Sequence, residues 1–317
     1  MIRALAITGP TASGKTAISI ALAKELGCEI ISCDSMQIYK GMNVGTAKVT
    51  AEEAAGVPHH LIDIVSPCEP FSVEEYRARA ISLAEDIVSR GGIPMLVGGT
   101  GLYVDALMRA PMTDVPESSR EYRDNILAGI KTDADIDALW QRLYSVDPES
   151  AEAIHKNNVR RVIRALEIYE TLGKTKSEID RESRKASPDI SIGMITLDFH
   201  DRENLYGRVD ARVDIMMREG LLEEVSSLYG SGALSKGSTA AQAIGYKEII
   251  RYLDGEISLA EAVELIKLGT RRYAKRQLTW FRHNEAMRLY VDTEDGRMRD
   301  IGDILSEALT FAQQIIK

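Results

Sequence analysis

Cysteine is scarce. Cys28, Cys33 and Cys68 are the only three in 317 residues, an odd number without metal-ligand spacing. That excludes a disulfide framework and a cysteine metal site, and leaves each thiol as a small buried group in a reducing compartment. No apolar run approaches the roughly 20 residues of a membrane span. The amino terminus lacks a signal-peptide pattern, because its first apolar stretch runs directly into a glycine loop. These absences predict a cytoplasmic protein with no membrane partner. Basic charge is in deficit: 39 Lys and Arg stand against 48 Asp and Glu, a net charge of −9. Attraction of nucleic acid by the whole surface is thereby disfavoured. Histidine offers no metal cluster either. His59 and His60 are adjacent and would point to opposite sides of an extended chain, while His155, His200 and His283 are isolated. No internal repeat and no low-complexity segment is present.

What is present begins at Gly9-Pro10-Thr11-Ala12-Ser13-Gly14-Lys15-Thr16, after the apolar run 4–7. A G-x-x-x-x-G-K-T run between a strand and a helix reads as a phosphate loop. Its backbone N–H groups form an anion nest, and the following helix adds the positive end of its dipole. Lys15 supplies a point charge for phosphate oxygens, and the Thr16 hydroxyl can bind Mg²⁺. The motif specifies a polyphosphate without specifying ATP.

A chain of 317 residues suggests two domains, or one domain with a large insertion. Strand and helix signals alternate over the first hundred residues, with a second strand at 29–33 and another at 93–97. Ser72 and Glu75 form a capping box that opens a helix reaching about Arg90. The alternation predicts an α/β fold, a parallel sheet flanked by helices. Ligands bind at the carboxyl ends of such strands, so the phosphate loop, Asp34 and Thr100 should converge on one cleft. Pro111 and Pro116 mark a boundary, after which the pattern is helical until Ser187-Pro188. A strand-like run follows at 190–197, and beyond Arg202 the chain reads as helical to its end. The expected organisation is a P-loop core of residues 1–112 and 188–317, interrupted by an all-helical insertion at 113–187. Two basic runs stand out, Lys156 to Arg164 and Arg271 to Arg282. Each is either a solvated helix face or a local polyanion site.

A P-loop kinase is the default for such a loop, but its usual Walker B strand is not matched: the run 30–34 does end in Asp34, yet continues as Ser-Met-Gln-Ile-Tyr. The strand at 93–97 ends in Gly98-Gly99, and no Arg-rich lid of the adenylate-kinase type is found. Instead, several motifs occur in order along nearly the whole chain: Asp34-Ser35-Met36-Gln37-Ile38-Tyr39, Gly45-Thr46-Ala47-Lys48, Pro58 to Asp63, Gly98 to Tyr103, Arg161 to Glu167, Arg208 to Arg212, Ala243 to Glu248 and Thr270 to Arg282. Together with the phosphate loop they resemble the tRNA dimethylallyltransferases. Lys156, Asn158 and Arg160 depart from the residues usual just before the insertion motif. The chain also ends without the zinc-finger extension of some eukaryotic relatives, which favours a bacterial-type enzyme.

The resemblance implies a P-loop NTPase-like fold and transfer of a dimethylallyl group from dimethylallyl diphosphate to N6 of adenosine 37, in the tRNA anticodon stem-loop. Residues 9–16 would then hold the diphosphate of an isoprenoid with Mg²⁺ on Thr16, and the resemblance adds Arg212 as a further contact. Arg208 shares a helix face with Arg212 by i, i+4 spacing; surface pairing to Asp210 or Asp214 is its alternative. Asp34 is the candidate base for the N6 proton, with Walker-B-like binding of Mg²⁺ as its alternative. Thr100 either reaches a reacting group or caps the following helix. The flipped adenine would be lined by Ser35, Met36 and Gln37. The anticodon loop would meet Arg123, Arg160, Arg161, Val162, Ile163 and Arg164 from the insertion, and Arg271, Arg272, Lys275 and Arg276 from the core. No obligate protein partner is expected, and a monomer suffices. The competing functions are an adenylate isopentenyltransferase acting on free nucleotide, a small-molecule P-loop kinase, and a non-catalytic RNA-binding protein.

Overall fold

The structure is a computed structural model. It describes residues 2–109, 119–185, 189–235 and 237–316. In chain order its elements are β1 (Ile2–Thr8), α1 (Lys15–Leu26), β2 (Cys28–Ser32), α2 (Ala51–Ala54), β3 (His59–His60), α3 (Val73–Ser89), β4 (Ile93–Gly98), α4 (Gly101–Met108), α5 (Ser119–Gly129), α6 (Asp133–Val146) and α7 (Pro148–Ala153). They continue with α8 (Val159–Leu172), α9 (Lys176–Lys185), β5 (Ile190–Asp198), α10 (Arg202–Arg218), α11 (Leu221–Gly230), a short 3₁₀ turn (Ala240–Gln242), α12 (Tyr246–Leu253), α13 (Leu259–Arg282), β6 (Met287–Tyr290) and α14 (Ile301–Ile316). The chain divides into two compact units, Met1–Met108 with Asp189–Lys317, and Arg109–Pro188.

The first unit is built on a six-stranded sheet in the order β3-β2-β4-β1-β5-β6, every pairing parallel. A parallel sheet covered on both faces demands near-continuous apolar strands, and β1 supplies one. Its Leu5 and Ile7 point into a core with α1 and α14 residues such as Leu22 and Ala308. Its Ala4 and Ala6 point the other way, toward Tyr76, Ala80 and Ile87 of α3 and Leu107 of α4. A further apolar cluster, outside the sheet, joins Ile38, Tyr39 and Met42 to Val225, Tyr246, Ile249 and Ile266 of α11 to α13. It anchors the chain leaving β2 on a helical layer. The capping box of α3 forms as its sequence requires: Glu75 N–H donates to Ser72 Oγ at 3.1 Å, and Ser72 N–H to Glu75 Oε2 at 2.8 Å.

Two strands escape the sequence pattern. His59–His60 is a two-residue strand whose chain pairs with β2, and Met287–Tyr290 adds an edge beside β5. The expectation of helix from Arg202 to the end is therefore corrected at β6. That strand has four residues and one fully buried side chain, Leu289, too little to make a strand signal.

The second unit is helical wherever it is described. Leu143, Ala151, Val162 and Leu166 form its core, roofed by Trp140, whose indole N–H donates to the carbonyls of Ala151 and Ile154 at 3.1 and 3.0 Å. Buried Asp147 accepts N–H bonds from Ser150 and Ser177 at 3.1 and 3.0 Å, which ties α7 to α9. The expected boundary residues Pro111, Pro116, Ser187 and Pro188 lie outside the described residues.

Candidate active site

The phosphate loop leaves the carboxyl end of β1 and enters α1. Gly9 takes φ of 134°, and a Cβ there would lie 2.7 Å from the Leu197 carbonyl oxygen, so only glycine fits beside β5. Gly14 precedes α1 with φ of 94° and offers no side-chain cap. The first-turn amides are thus left for another acceptor. Lys15 folds back over the loop, its ammonium donating to the Gly9 and Pro10 carbonyls at 3.0 and 2.7 Å. Burial, helped by the Arg212 charge and opposed by Asp34, lowers its pKa to about 7. Thr16 is exposed at the head of α1. Ser13 Oγ is buried without a hydrogen-bond partner among the described residues.

Asp34 follows β2, and β4 stands between β2 and β1. Asp34 is therefore two strands from the phosphate loop rather than on its neighbour. Its charge nevertheless acts on both Lys15 and Arg212. Asp34 Oδ1 accepts from the Met36 and Gln37 amides at 2.8 and 3.4 Å, which fixes the turn and the carboxylate together. Thr100 Oγ1 accepts from the Ser35 amide at 3.1 Å and donates to Ser35 Oγ at 3.3 Å. Its hydroxyl thus joins the β4 loop to the β2 loop, whereas its carbonyl starts α4 by accepting from Tyr103 N–H at 3.0 Å.

Gln37 is tied at both ends. Ser32 Oγ donates to its Oε1 at 3.1 Å, and its Nε2 donates to the Thr46 carbonyl at 3.2 Å. The partner segment is itself held by Glu224, a residue that the sequence patterns did not single out. Glu224 accepts from the Asn43, Val44 and Gly45 amides at 2.7, 2.8 and 3.1 Å, and from the Tyr246 hydroxyl at 2.6 Å.

Helix α10 brings two arginines to the loop. Arg208 Nε donates to the Ala12 carbonyl at 2.7 Å, so its alternative as the partner of Asp210 is excluded; Arg271 takes that carboxylate at 2.7 and 2.6 Å. Arg212 is largely buried, and burial drives its pKa down against the pull of Asp34. Its Nε has no hydrogen-bond partner among the described residues. Helix α13 faces the same loops with Tyr273, Gln277 and Trp280. Tyr273 reaches Thr100 and is pushed up to about 12 by burial and by Asp34. Gln277 bonds Thr11 N–H and the Gly99 carbonyl, each at 2.9 Å. Gly99 and Gly98 occupy the place of a Walker B acid because a Cβ would meet Gln277 Nε2 at 2.1 Å or the Cys33 carbonyl oxygen at 2.3 Å.

The basic runs split into committed and exposed cations. On α13, Arg271 pairs with Asp210, and Arg282 bonds Asp198, which is 0% exposed, at 2.9 and 2.7 Å. Arg272, Lys275 and Arg276 are exposed, Arg276 lying over Tyr273 at 5.6 Å. Arg164 of α8 and Arg123 of α5 pair with buried Glu167 at 2.7 and 2.8 Å, while Arg160 and Arg161 are exposed. Val162 and Ile163 are 0% and 1% exposed. Assigning their side chains to RNA contact is corrected, because they sit on the inner face of α8.

Residues 37–284 match the family model described as IPP transferase, and residues 2–66 the model described as isopentenyl transferase. The tRNA dimethylallyltransferase of Thermoanaerobacter sp. (strain X514) is 51% identical over 282 residues, 89% of each chain. The crystal structure of the tRNA isopentenylpyrophosphate transferase from Bacillus halodurans superposes with a TM-score of 0.72 at 44% identity, covering 99% of this chain and 97% of that one. A eukaryotic dimethylallyltransferase acting on tRNA gives a TM-score of 0.78 at 32% identity, over 92% of this chain and 74% of that one.

Proposed function

The chain belongs to the tRNA dimethylallyltransferase family, and from this premise we propose that it transfers the dimethylallyl group of dimethylallyl diphosphate to N6 of adenosine 37 in tRNA, releasing diphosphate. Ser13 Oγ and Arg212 Nε carry the reading: both are buried without a partner among the described residues. Buried polar groups left unmade are costly, and a diphosphate on the loop would satisfy them. The loop amides, Lys15, Arg212 and Arg208 then surround the leaving group. Negative charge grows there as the allylic C–O bond breaks, so these donors stabilise the transition state selectively.

The acceptor amine is a weak nucleophile and must lose a proton. Asp34, fixed by its own turn, accepts that proton, and Thr100 with Ser35 holds the adjoining edge of the base. Only the diphosphate oxygens, water and one or two protein groups are needed to complete Mg²⁺. The exposed Thr16 hydroxyl fits that demand, and when bound the ion neutralises the leaving group. Among the described residues, no group of three or more His, Cys, Asp or Glu could hold a metal alone, in keeping with a substrate-borne ion.

Adenosine 37 must leave the stack to reach Asp34. Met36 and Ser35 would line it, with Gln37 held rigid beside them. Arg160 and Arg161 of the helical unit and Arg272, Lys275 and Arg276 of α13 would bind backbone phosphates, which position RNA without reading its sequence. No described helix is long and apolar enough to cross a membrane, and we place the enzyme in the cytoplasm, acting as a monomer.

The test is incubation with labelled dimethylallyl diphosphate and either unmodified tRNA or AMP. Label should enter tRNA at adenosine 37. Transfer to AMP without transfer to tRNA would establish the free-nucleotide activity instead.

A further inference from the structure

We propose that Gln277 is a positioning residue for the donor site, setting the phosphate loop against the Thr100 loop through one buried side-chain amide. The proposal rests on residues 9–16 holding the diphosphate. Gln277 is 6% exposed. Thr11 N–H donates to its Oε1, and its Nε2 donates to the Gly99 carbonyl, both at 2.9 Å. Only one orientation of the amide meets both demands, since an N–H requires the oxygen and a carbonyl requires the NH₂.

Two consequences follow for the site. The Thr11 amide is committed to Gln277, so the anion nest offered to a ligand begins after Thr11. Beyond the β1–β4 pairing, which runs to Thr8 and Gly98, the Gln277 amide is a second tie between the phosphate loop and the Thr100 loop. Gly99 is the matching adaptation, because any Cβ there would enter the amide at 2.1 Å. Gln277 lies on α13 next to Arg276 and one turn from Tyr273, so the helix that offers Arg272, Lys275 and Arg276 to solvent also holds the donor loop.

Glutamate is the same size and supplies a pH-dependent test. Ionised, Gln277→Glu still accepts from Thr11 N–H but repels the Gly99 carbonyl and sets negative charge beside the diphosphate. Protonated, it can restore both bonds. Tyr273 is the ionisable group in contact with it, and dividing the variant by wild type at each pH removes those titrations that the substitution leaves unchanged. At pH 8, Gln277→Glu should raise KM for dimethylallyl diphosphate and weaken inorganic diphosphate binding by about 10-fold. KM for tRNA should stay within about 2-fold. A carboxyl buried at this position and facing the Gly99 carbonyl holds its proton to higher pH than a free glutamate, so the ratio to wild type should recover as pH falls toward 6.

Gln277→Met, which keeps the volume and loses both bonds, should show the donor defect with no recovery at low pH, and it decides the matter if the glutamate variant fails to fold. A defect equal in both KM values, or a ratio flat with pH, would overturn the proposal. A wild-type enzyme that binds inorganic diphosphate but transfers nothing to tRNA would overturn the proposed function while leaving the binding test of Gln277 intact.

Discussion

Helices α8 and α13 present similar basic surfaces over different interiors. Each spends part of its arginine on buried carboxylate: Arg164, with Arg123, on Glu167, and Arg282 on Asp198. Each leaves the rest exposed. The inner face of α8 is Val162, Ala165 and Leu166 in an apolar core. The inner face of α13 is Tyr273, Gln277 and Trp280 against the phosphate and Thr100 loops. A basic run therefore says little by itself. Its inner neighbours separate a helix packed on an apolar core from one packed on the phosphate and Thr100 loops.

The comparison predicts first where catalysis breaks. Asp34→Asn keeps a hydrogen-bond acceptor but cannot take a proton, so single-turnover transfer should slow by roughly 10²–10⁴-fold with both substrates still bound. A rate within a few-fold of wild type would detach Asp34 from the reaction.

Stability should divide the arginines next. Arg282→Ala strands buried Asp198 with little beyond its bond from Phe199 N–H at 2.7 Å, and should cost about 3 kcal/mol in urea unfolding. Arg276→Ala, one helical face away, should stay within about 0.5 kcal/mol. Equal costs would erase the division between committed and exposed cations.

RNA binding should then show what the two helices share. Glutamine at Arg272, Lys275 and Arg276, or at Arg160 and Arg161, should flatten the salt dependence of tRNA affinity. The slope should change by roughly 0.7–0.9 for each RNA phosphate that is no longer neutralised. If either set leaves the slope unchanged, that helix is a solvated face.

The smallest effect is a pH dependence of donor binding. With its pKa lowered to about 7, Lys15 loses its proton as pH rises above neutrality, and dimethylallyl diphosphate affinity should fall several-fold between pH 7 and 9. Lys15→Arg should bind more weakly at pH 7 but remain flat over that range, because arginine keeps its charge.

The core unit is readable in the sequence because its signals are local. The phosphate loop has fixed spacing, β1 and β4 are continuous apolar runs, and Ser72 and Glu75 cap α3 within one turn. Asp34 and Thr100 follow from the rule that parallel strands point their carboxyl ends at a ligand. Gln277 and Glu224 carry no such signal: their partners lie far away in sequence, and each reads as an ordinary helix residue until the chain is folded. Arg123 reads as a free cation for the same reason, its partner Glu167 lying on another helix, whereas Arg164 does carry a local signal, Glu167 standing at i+3 on the same helix. Val162 and Ile163 do carry a local signal against RNA contact. Their spacing with Leu166 marks the inner stripe of an amphipathic helix.

Everything proposed for the donor site turns on the phosphate loop taking an alkyl diphosphate rather than a nucleotide. Displacement of labelled dimethylallyl diphosphate from the protein by inorganic diphosphate and by ATP, with ATP hydrolysis followed in the same samples, probes this choice without intermediaries. Displacement by inorganic diphosphate, weaker displacement by ATP and no hydrolysis are expected. ATP that displaces the donor more strongly and is turned over to ADP would contradict the assignment.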